Sequence, residues 1–393
     1  MPKTIRNQFD KYLTYEKLLE AHKKARRGKN RKPELVKFNL KQEEYIMWLY
    51  LQLKNGTYKH GGYVEFYVTE PKLRKIEKSR YIDRIVHTWL AENFLLKYFV
   101  TQFIPTSFAC IRGKGMHRAA FCVQDYMKKA KRRLGDYYII KTDVAKYFNS
   151  IDKKILLEII KRKVKDPKLI WVIKEILYAQ KREKGIEIGN YTSQIFANIY
   201  LNEVDQYIKH ELKVKYYVRY LDDSILLVQT KEEAKRVLKL VRKFLKEKLD
   251  LELNAKTQIF KGKQGVNFCG YKINEYRLKI RDRGKKKLKQ KIKKLKQKVK
   301  NGEISSKEAK RYLAGHIGYI KWANIYNLSN KLFYIEKDFN KENIRDKPKE
   351  ANSSAYRTNR GGNYNADDTN TAVNRNNNNP TNTNNNIGSR LTL

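Results

Sequence analysis

Tyr216-Tyr217-Val218-Arg219-Tyr220-Leu221-Asp222-Asp223-Ser224-Ile225-Leu226-Leu227-Val228 is two apolar and aromatic runs around an acidic tip. Residues 214–220 and 224–230 are rich in Val, Ile, Leu and Tyr, which predicts a β-hairpin. Asp tolerates turn geometry, so an Asp-Asp pair between strands ordinarily marks a turn and nothing more. Here the flanks are apolar enough to bury the tip. Two carboxylates placed among apolar strands are costly unless a cation sits on them. A further carboxylate is available, because Tyr137-Tyr138-Ile139-Ile140-Lys141-Thr142 reads as a buried strand and Asp143 follows at its end.

Tyr-x-Asp-Asp on a hairpin, with Asp143 upstream, resembles the metal-binding signature of reverse transcriptases. The resemblance implies phosphodiester synthesis by two Mg²⁺ ions roughly 3.5–4 Å apart, with Mn²⁺ as a substitute. Such ions prefer hard oxygen ligands. Asp143 and Asp222 would bridge them, with Asp223 in support, as catalytic and metal residues together. Phe148 stands five residues past Asp143. In this family that position carries an aromatic ring beneath the sugar that excludes a 2′-hydroxyl; plain core packing is the alternative.

Composition bounds the rest. At 393 residues, one large or two to three small domains are expected, and 41% hydrophobic residues suffice for a sizeable core. The net charge is +46, from 87 Lys+Arg against 41 Asp+Glu, which argues for a polyanionic partner. No run of 18 apolar residues exists to span a membrane, so no membrane partner is expected. The N-terminus lacks an apolar signal core. Cys110, Cys122 and Cys269 match neither a disulfide framework nor a zinc ligand set, and are expected as reduced core cysteines of a cytoplasmic protein.

Residues 9–27 predict an amphipathic helix stopped by Gly28, and 40–54 a second, before a strand at Tyr63–Thr69. Glu70 to His87 resembles the first block of reverse transcriptases, with Asp83-Arg84 opening a helix that continues over 85–100. By that resemblance Arg74 falls where the family places a basic residue on the incoming triphosphate, and Lys72 is a second candidate. A guanidinium or ammonium over phosphates suits the chemistry. In Pro105 to His117, the second block, Gly113 and Gly115 let backbone approach a polyanion, and Arg112 and Lys114 supply charge.

A helix over 150–164 precedes Lys184-Gly185-Ile186-Glu187-Ile188-Gly189-Asn190-Tyr191-Thr192-Ser193-Gln194, which leads into a long helix with Phe196, Tyr200, Val204 and Ile208 on one face. Across reverse transcriptases this block usually reads Gln-Gly followed by Ser-Pro. Here Ile188 replaces the Gln, Gly189 is kept, and Gln194 replaces the Pro. Ile-Gly-x-x-x-Ser-Gln is the mark of the diversity-generating retroelement branch. Ile cannot hydrogen-bond near the incoming nucleotide, so losing the Gln is expected to relax base discrimination. A helix over 231–249 and strands over 251–260 and 266–273 follow. The order β, helices, β, β, α, β is that of a ferredoxin-like polymerase palm. Phe268 to Tyr271, with Gly270 inside, resembles the block that holds the primer end.

Residues 285–300 carry ten Lys and no acid, with Leu288, Ile292, Leu295 and Val299 on one helix face. In this setting Lys289 and Lys293 belong to a thumb helix lying along template–primer phosphates. Helices continue over 306–339. Between Ala351 and Leu393 there are 14 Asn in 43 residues, too polar to order themselves. The fold expected is therefore α+β, a right-hand polymerase. It comprises N-terminal helices and fingers with parts of the palm (1–135), a palm (136–275), a Lys-rich helical thumb (276–345) and a disordered Asn-rich tail (346–393). The tail resembles the end of a variable protein, as a translated template repeat would.

Membership of this branch implies low-fidelity copying of a template-repeat RNA into cDNA from dNTPs, with errors at template adenines. It also implies an oligomeric basic accessory variability protein as partner. The competing readings are a group II intron or retron reverse transcriptase, and a non-catalytic RNA-binding protein on a polymerase fold.

Overall fold

The computed structural model describes residues 4–69 and 73–324, in two units that divide between Tyr276 and Arg277. In the first unit, α1 (Phe9–Tyr12) and α2 (Tyr15–Ala25) replace the single helix expected over 9–27. The break has a local cause: Thr14 takes extended backbone, and its hydroxyl accepts the Lys17 N–H to cap α2. Two more helices follow, α3 (Pro33–Leu40), opened by a Pro in its first turn, and α4 (Gln42–Lys54). Strand β1 (Tyr63–Val68) pairs antiparallel with β2 (Arg74–Ser79). Helix α5 (Tyr81–Leu90) runs through a wide turn at 91–95 into α6 (Leu96–Phe99), burying Ile85, Val86, Trp89, Leu90 and Phe94. Helix α7 (Met116–Leu134) then fills a span for which no element was expected.

The palm follows in the expected order. It comprises β3 (Tyr138–Asp143), α8 (Tyr147–Ser150), α9 (Lys153–Lys163), α10 (Pro167–Leu177), α11 (Tyr191–Gln206), β4 (Tyr216–Tyr220), β5 (Asp223–Val228), α12 (Lys231–Leu249) and β6 (Gln258–Lys261). The four strands form one antiparallel sheet in the order β4-β5-β3-β6, the ferredoxin-like arrangement. Ile140 on β3 stands opposite Leu226 on β5 and Ile259 on β6, so the central strand is apolar toward both neighbours. The strand expected over 251–260 is shorter than read. Asn254 makes a turn there, its carbonyl accepting the Thr257 N–H and its side chain the Lys256 N–H.

Strands β7 (Val266–Phe268) and β8 (Tyr271–Ile273) close the unit as a tight hairpin. Its two turn residues, Cys269 and Gly270, have φ of 46° and 82°. Positive φ at both central positions matches the twist of a two-residue hairpin. Cys122 alone of the three free cysteines is buried; Cys110 and Cys269 are half-buried at turns, a correction to the expectation of three core thiols.

The second unit holds β9 (Leu278–Ile280), α13 (Asp282–Lys300) and α14 (Ser306–Ile320). Ser305 and Glu308 cap α14 reciprocally. Leu288, Ile292 and Leu295 of α13 pack with Ala309, Leu313 and Ile320 of α14, leaving the lysines of α13 on its open side. Lys72, the part of the expected 306–339 helices beyond Asn324, and the Asn-rich tail lie outside the described residues. Among those described, no helix is long and apolar enough to cross a membrane.

Gly262 is fixed by close approach: a Cβ there would fall 2.4 Å from the Tyr137 ring. Gly262→Ala is expected to lower stability by about 1–3 kcal/mol through overpacking. In a Tyr137→Ala background the same change should be nearly neutral, which paired thermal melts would establish.

Candidate active site

The acidic tip is built by the strand register. Asp143 at the end of β3 is the ladder partner of Asp223 at the start of β5, so both side chains leave the same face of the sheet. Behind them Thr142 and Ser224 join their hydroxyls at 2.6 Å across the same ladder. Leu221 and Asp222 form the two-residue connection between β4 and β5. Leu221 sits at φ 52°, a left-handed conformation that a branched aliphatic residue adopts only under constraint.

The constraint is Arg219, which is 2% exposed. Its guanidinium donates to both Asp205 carboxylate oxygens, Nε at 2.8 Å and Nη2 at 2.6 Å, and Nη1 donates to the Leu221 carbonyl at 3.1 Å. Tyr217 adds its hydroxyl to Asp205 at 2.6 Å, and Asn198 accepts from Arg219 Nη1 at 3.0 Å. A buried bidentate pair anchored on α11 thus grips the carbonyl of the hairpin tip. Neither Arg219 nor Asp205 stood out in the sequence.

Asp222 lies close enough to Asp143 for the two carboxylates to act on each other. Burial first, then the Asp143 charge, push the Asp222 carboxyl up to about 6, against a backbone hydrogen bond and the charge of Arg74, which favour its ionised form. Asp223 faces the Lys141 ammonium at 3.7 Å, and Lys141 also donates to the Asn267 carbonyl at 2.7 Å. Lys141 was another unflagged residue; it links the carboxylates to the β7–β8 hairpin. Among the described residues no three His, Cys, Asp or Glu side chains close around one point. The arrangement is a carboxylate pair with Asp223 alongside. Two oxygen-donor groups held in contact against their own repulsion fit a hard divalent cation.

The other expected residues fall around this tip in different ways. Arg74 opens β2, and its charge acts on Asp222. Phe148 is half-buried on α8, its ring 5.7 Å from that of Tyr147, and its carbonyl accepts the Ile186 N–H. Half-buried Ile188 accepts the Glu77 N–H at its carbonyl, Gly189 has φ 125°, and Gln194 is buried in the first turn of α11.

Arg112 makes an ion pair with Glu92, which also accepts from the Tyr191 hydroxyl. Lys114 donates to the Pro105 and Ser107 carbonyls and so ties its own loop. Phe268 has no exposed surface and supports the turn bearing Gly270 from inside. Lys289 and Lys293 are exposed on α13, in the second unit.

The model of the reverse transcriptase (RNA-dependent DNA polymerase) family matches residues 68–273, which span β2, all three carboxylates and the β7–β8 hairpin. The chain belongs to the reverse transcriptase family. Among similar proteins, the COX1/OXI3 intron 2 protein of Saccharomyces cerevisiae is 22% identical over 54% of this chain and 31% of its own length. The group II intron-encoded protein LtrA of Lactococcus lactis subsp. cremoris is 24% identical over 59% of this chain and 50% of its own. Protein YkfC of Escherichia coli is 24% identical over 35% and 46%. The chain therefore spans half or less of the length of each relative. Among solved structures, apo telomerase from Candida tropicalis truncated from its C-terminal domain matches with a TM-score of 0.43 at 15% identity, over 56% of this chain and 55% of that one.

Arg219 is buried and holds the tip of the β4–β5 hairpin through the Leu221 carbonyl. Arg219→Met leaves Asp205 buried and unpaired and is expected to cost about 3–5 kcal/mol. Arg219→Met with Asp205→Leu should recover most of that stability in a chemical denaturation series. Primer extension should stay impaired in the double variant, because Leu221 has lost its tether.

Proposed function

We propose that the chain is an RNA-directed DNA polymerase, a nucleotidyltransferase that copies an RNA template into cDNA from dNTPs. The observation that carries this reading is the Asp143–Asp222 carboxylate pair at the tip of the β4–β5 hairpin, inside the span matched to the family. Mg²⁺ is the cofactor assigned, with Mn²⁺ as a substitute. Asp143 and Asp222 would hold it, supported by Asp223. A bound pair of such ions would supply acidification of the primer 3′-hydroxyl and charge stabilisation for the leaving pyrophosphate.

The chain's own residues orient the reactants. Arg74 neutralises the triphosphate, and Lys72 is a second candidate. The Phe148 ring lies under the sugar and leaves no room for a 2′-hydroxyl. Ile188, Gly189 and Gln194 border the incoming nucleotide. Arg112, Lys114 and Gly270 serve template and primer, and the exposed Lys289 and Lys293 contact phosphates. The fingers, palm and thumb divisions and a cytoplasmic location belong to the same reading.

Two lineages compete, and the support for them is about equal. The Ile-Gly-x-x-x-Ser-Gln block favours a diversity-generating retroelement enzyme, with errors at template adenines, mutagenic retrohoming and a basic accessory variability protein. The names of the intron-encoded relatives favour a group II intron enzyme. Primer extension on an RNA template with sequencing of the product separates them. Substitutions concentrated at adenines support the first, and an even, low error rate supports the second.

Two outcomes are expected of variants. Asp222→Asn should abolish divalent-ion-dependent extension while raising the melting temperature in metal-free buffer, since it removes one of two repelling carboxylates. Near wild-type extension by that variant would overturn the assignment. Phe148→Ala should raise ribonucleotide incorporation; an active variant that still rejects ribonucleotides places the sugar gate elsewhere.

A further inference from the structure

Charged side chains of both signs meet behind β2. Glu77 is 5% exposed, Glu187 2% and Lys153 0%, with the half-buried Arg182 among them. Arg182 Nη2 donates to Glu77 Oε2 at 2.7 Å and Nη1 to Oε1 at 3.2 Å, while Nη2 also reaches Glu187 Oε1 at 3.4 Å. Lys153 Nζ stands 4.0 Å from Glu187 and donates to the Gln180 carbonyl at 3.2 Å; Gln180 in turn donates to Glu77 at 3.2 Å. Lys75 Nζ also stands 3.6 Å from Glu77, so each carboxylate has cations beside it, which makes the burial of the cluster tolerable. The planar fork of Arg182 is the one group here that spans both carboxylates, which a point-charge ammonium could not do equally well.

The same place is stitched by backbone. The Glu77 N–H donates to the Ile188 carbonyl at 3.0 Å, and Asn190 Nδ2 donates to the Glu77 carbonyl at 3.3 Å. Asn190 Oδ1 accepts from the Ser79 N–H at 3.1 Å and from its hydroxyl at 2.6 Å. The segment 187–190, which belongs to no strand, is therefore fastened to β2. Glu77 lies three residues after Arg74 on that strand, so their side chains leave opposite faces. The charge cluster thus occupies one face while Arg74 is on the other, where its charge reaches Asp222.

We infer that Arg182 is a positioning residue for nucleotide selection: by bridging Glu77 and Glu187 it fixes Ile188-Gly189 against the strand that carries Arg74. The inference rests on the polymerase reading and deepens it. Triphosphate and base are then gripped by one rigid body rather than by a strand and an independent loop. Loosening the bridge lets the base-side wall shift relative to the triphosphate contact. Nucleotide affinity and fidelity should suffer before the chemical step does.

The test compares wild type with Arg182→Lys and Glu187→Gln in the full chain. Amide hydrogen exchange at 187–190 reads the clamp without any catalysis, and should speed up in both variants while the palm strands keep their protection. Steady-state extension should show a KM for dNTP raised by about tenfold in Arg182→Lys, the equivalent of one charge-assisted hydrogen bond. The kcat and the template–primer Kd should stay within about threefold, small beside that effect. Misincorporation should rise in parallel with KM, and Glu187→Gln, which keeps the hydrogen-bonding shape, should lie between the two. Unchanged exchange at 187–190, or KM, kcat and template binding falling together with the melting temperature, overturns the clamp. A wild-type chain that extends no primer removes the polymerase reading instead, whatever the exchange data show.

Discussion

Two like-charged groups in contact set the terms for the first unit. Asp143 and Asp222 are close enough to act on each other, and burial compounds their repulsion. A backbone hydrogen bond and the Arg74 charge offset part of that repulsion, and the surrounding fold must hold the pair against the rest. It does so through the β3–β5 register, which fixes Asp143 opposite Asp223, and through the Arg219 grip on the carbonyl of Leu221. The left-handed Leu221 marks where the strain is stored. Arg219 can do this only because Asp205, Tyr217 and Asn198 satisfy the rest of its donors inside the core.

The same device recurs behind β2. There too a planar guanidinium pairs with carboxylate, one acid at Arg219 and two at Arg182, and a nearby backbone carbonyl is the part whose position matters, Leu221 in one case and Ile188 in the other. Both networks join segments distant in sequence, Arg219 to Asp205 across 14 residues and Arg182 to Glu77 across 105. Buried charge of this kind adds little net stability compared with apolar packing, and removing one partner is costly. What it supplies is a defined geometry at the loops it ties, while apolar packing that includes the faces of α5, α9, α11 and α12 builds the core.

How much of this was readable in advance follows from the range of each signal. The hairpin, the strand before Asp143 and the palm order are legible, because runs rich in Val, Ile, Leu and Tyr and acidic tips are local patterns. Helix α7 is not. Its buried face is largely Ala119, Ala120, Cys122, Val123 and Ala130, small residues scattered among Lys and Arg, so its apolar period is faint. Helix 9–27 was read as continuous because the apolar spacing carries through Thr14, whereas a hydroxyl cap interrupts it. Among site residues the carboxylates announced themselves by chemistry. Arg219, Lys141 and Arg182 did not, since in a chain with 87 Lys and Arg a single basic residue is unremarkable until its partners are known.

That excess of positive charge explains why the acidic site needs local support. A net charge of +46 draws polyanions to the molecule over the range of a Debye length, here about 8–10 Å at ordinary ionic strength. A uniformly basic surface would attract nucleic acid but repel the divalent cation that the chemistry requires. The carboxylate pair creates a short-range region of opposite sign inside that field, and Lys141 bounds it, facing Asp223 on one side and holding the Asn267 carbonyl on the other. Arg74 bounds it from β2, close enough for its charge to favour the ionised form of Asp222. A polyanion arriving under the long-range attraction meets cationic side chains at the edge of the site and carboxylates at its centre. The boundary between the two is set by Lys141, 3.7 Å from Asp223, and by Arg74, whose charge acts on Asp222.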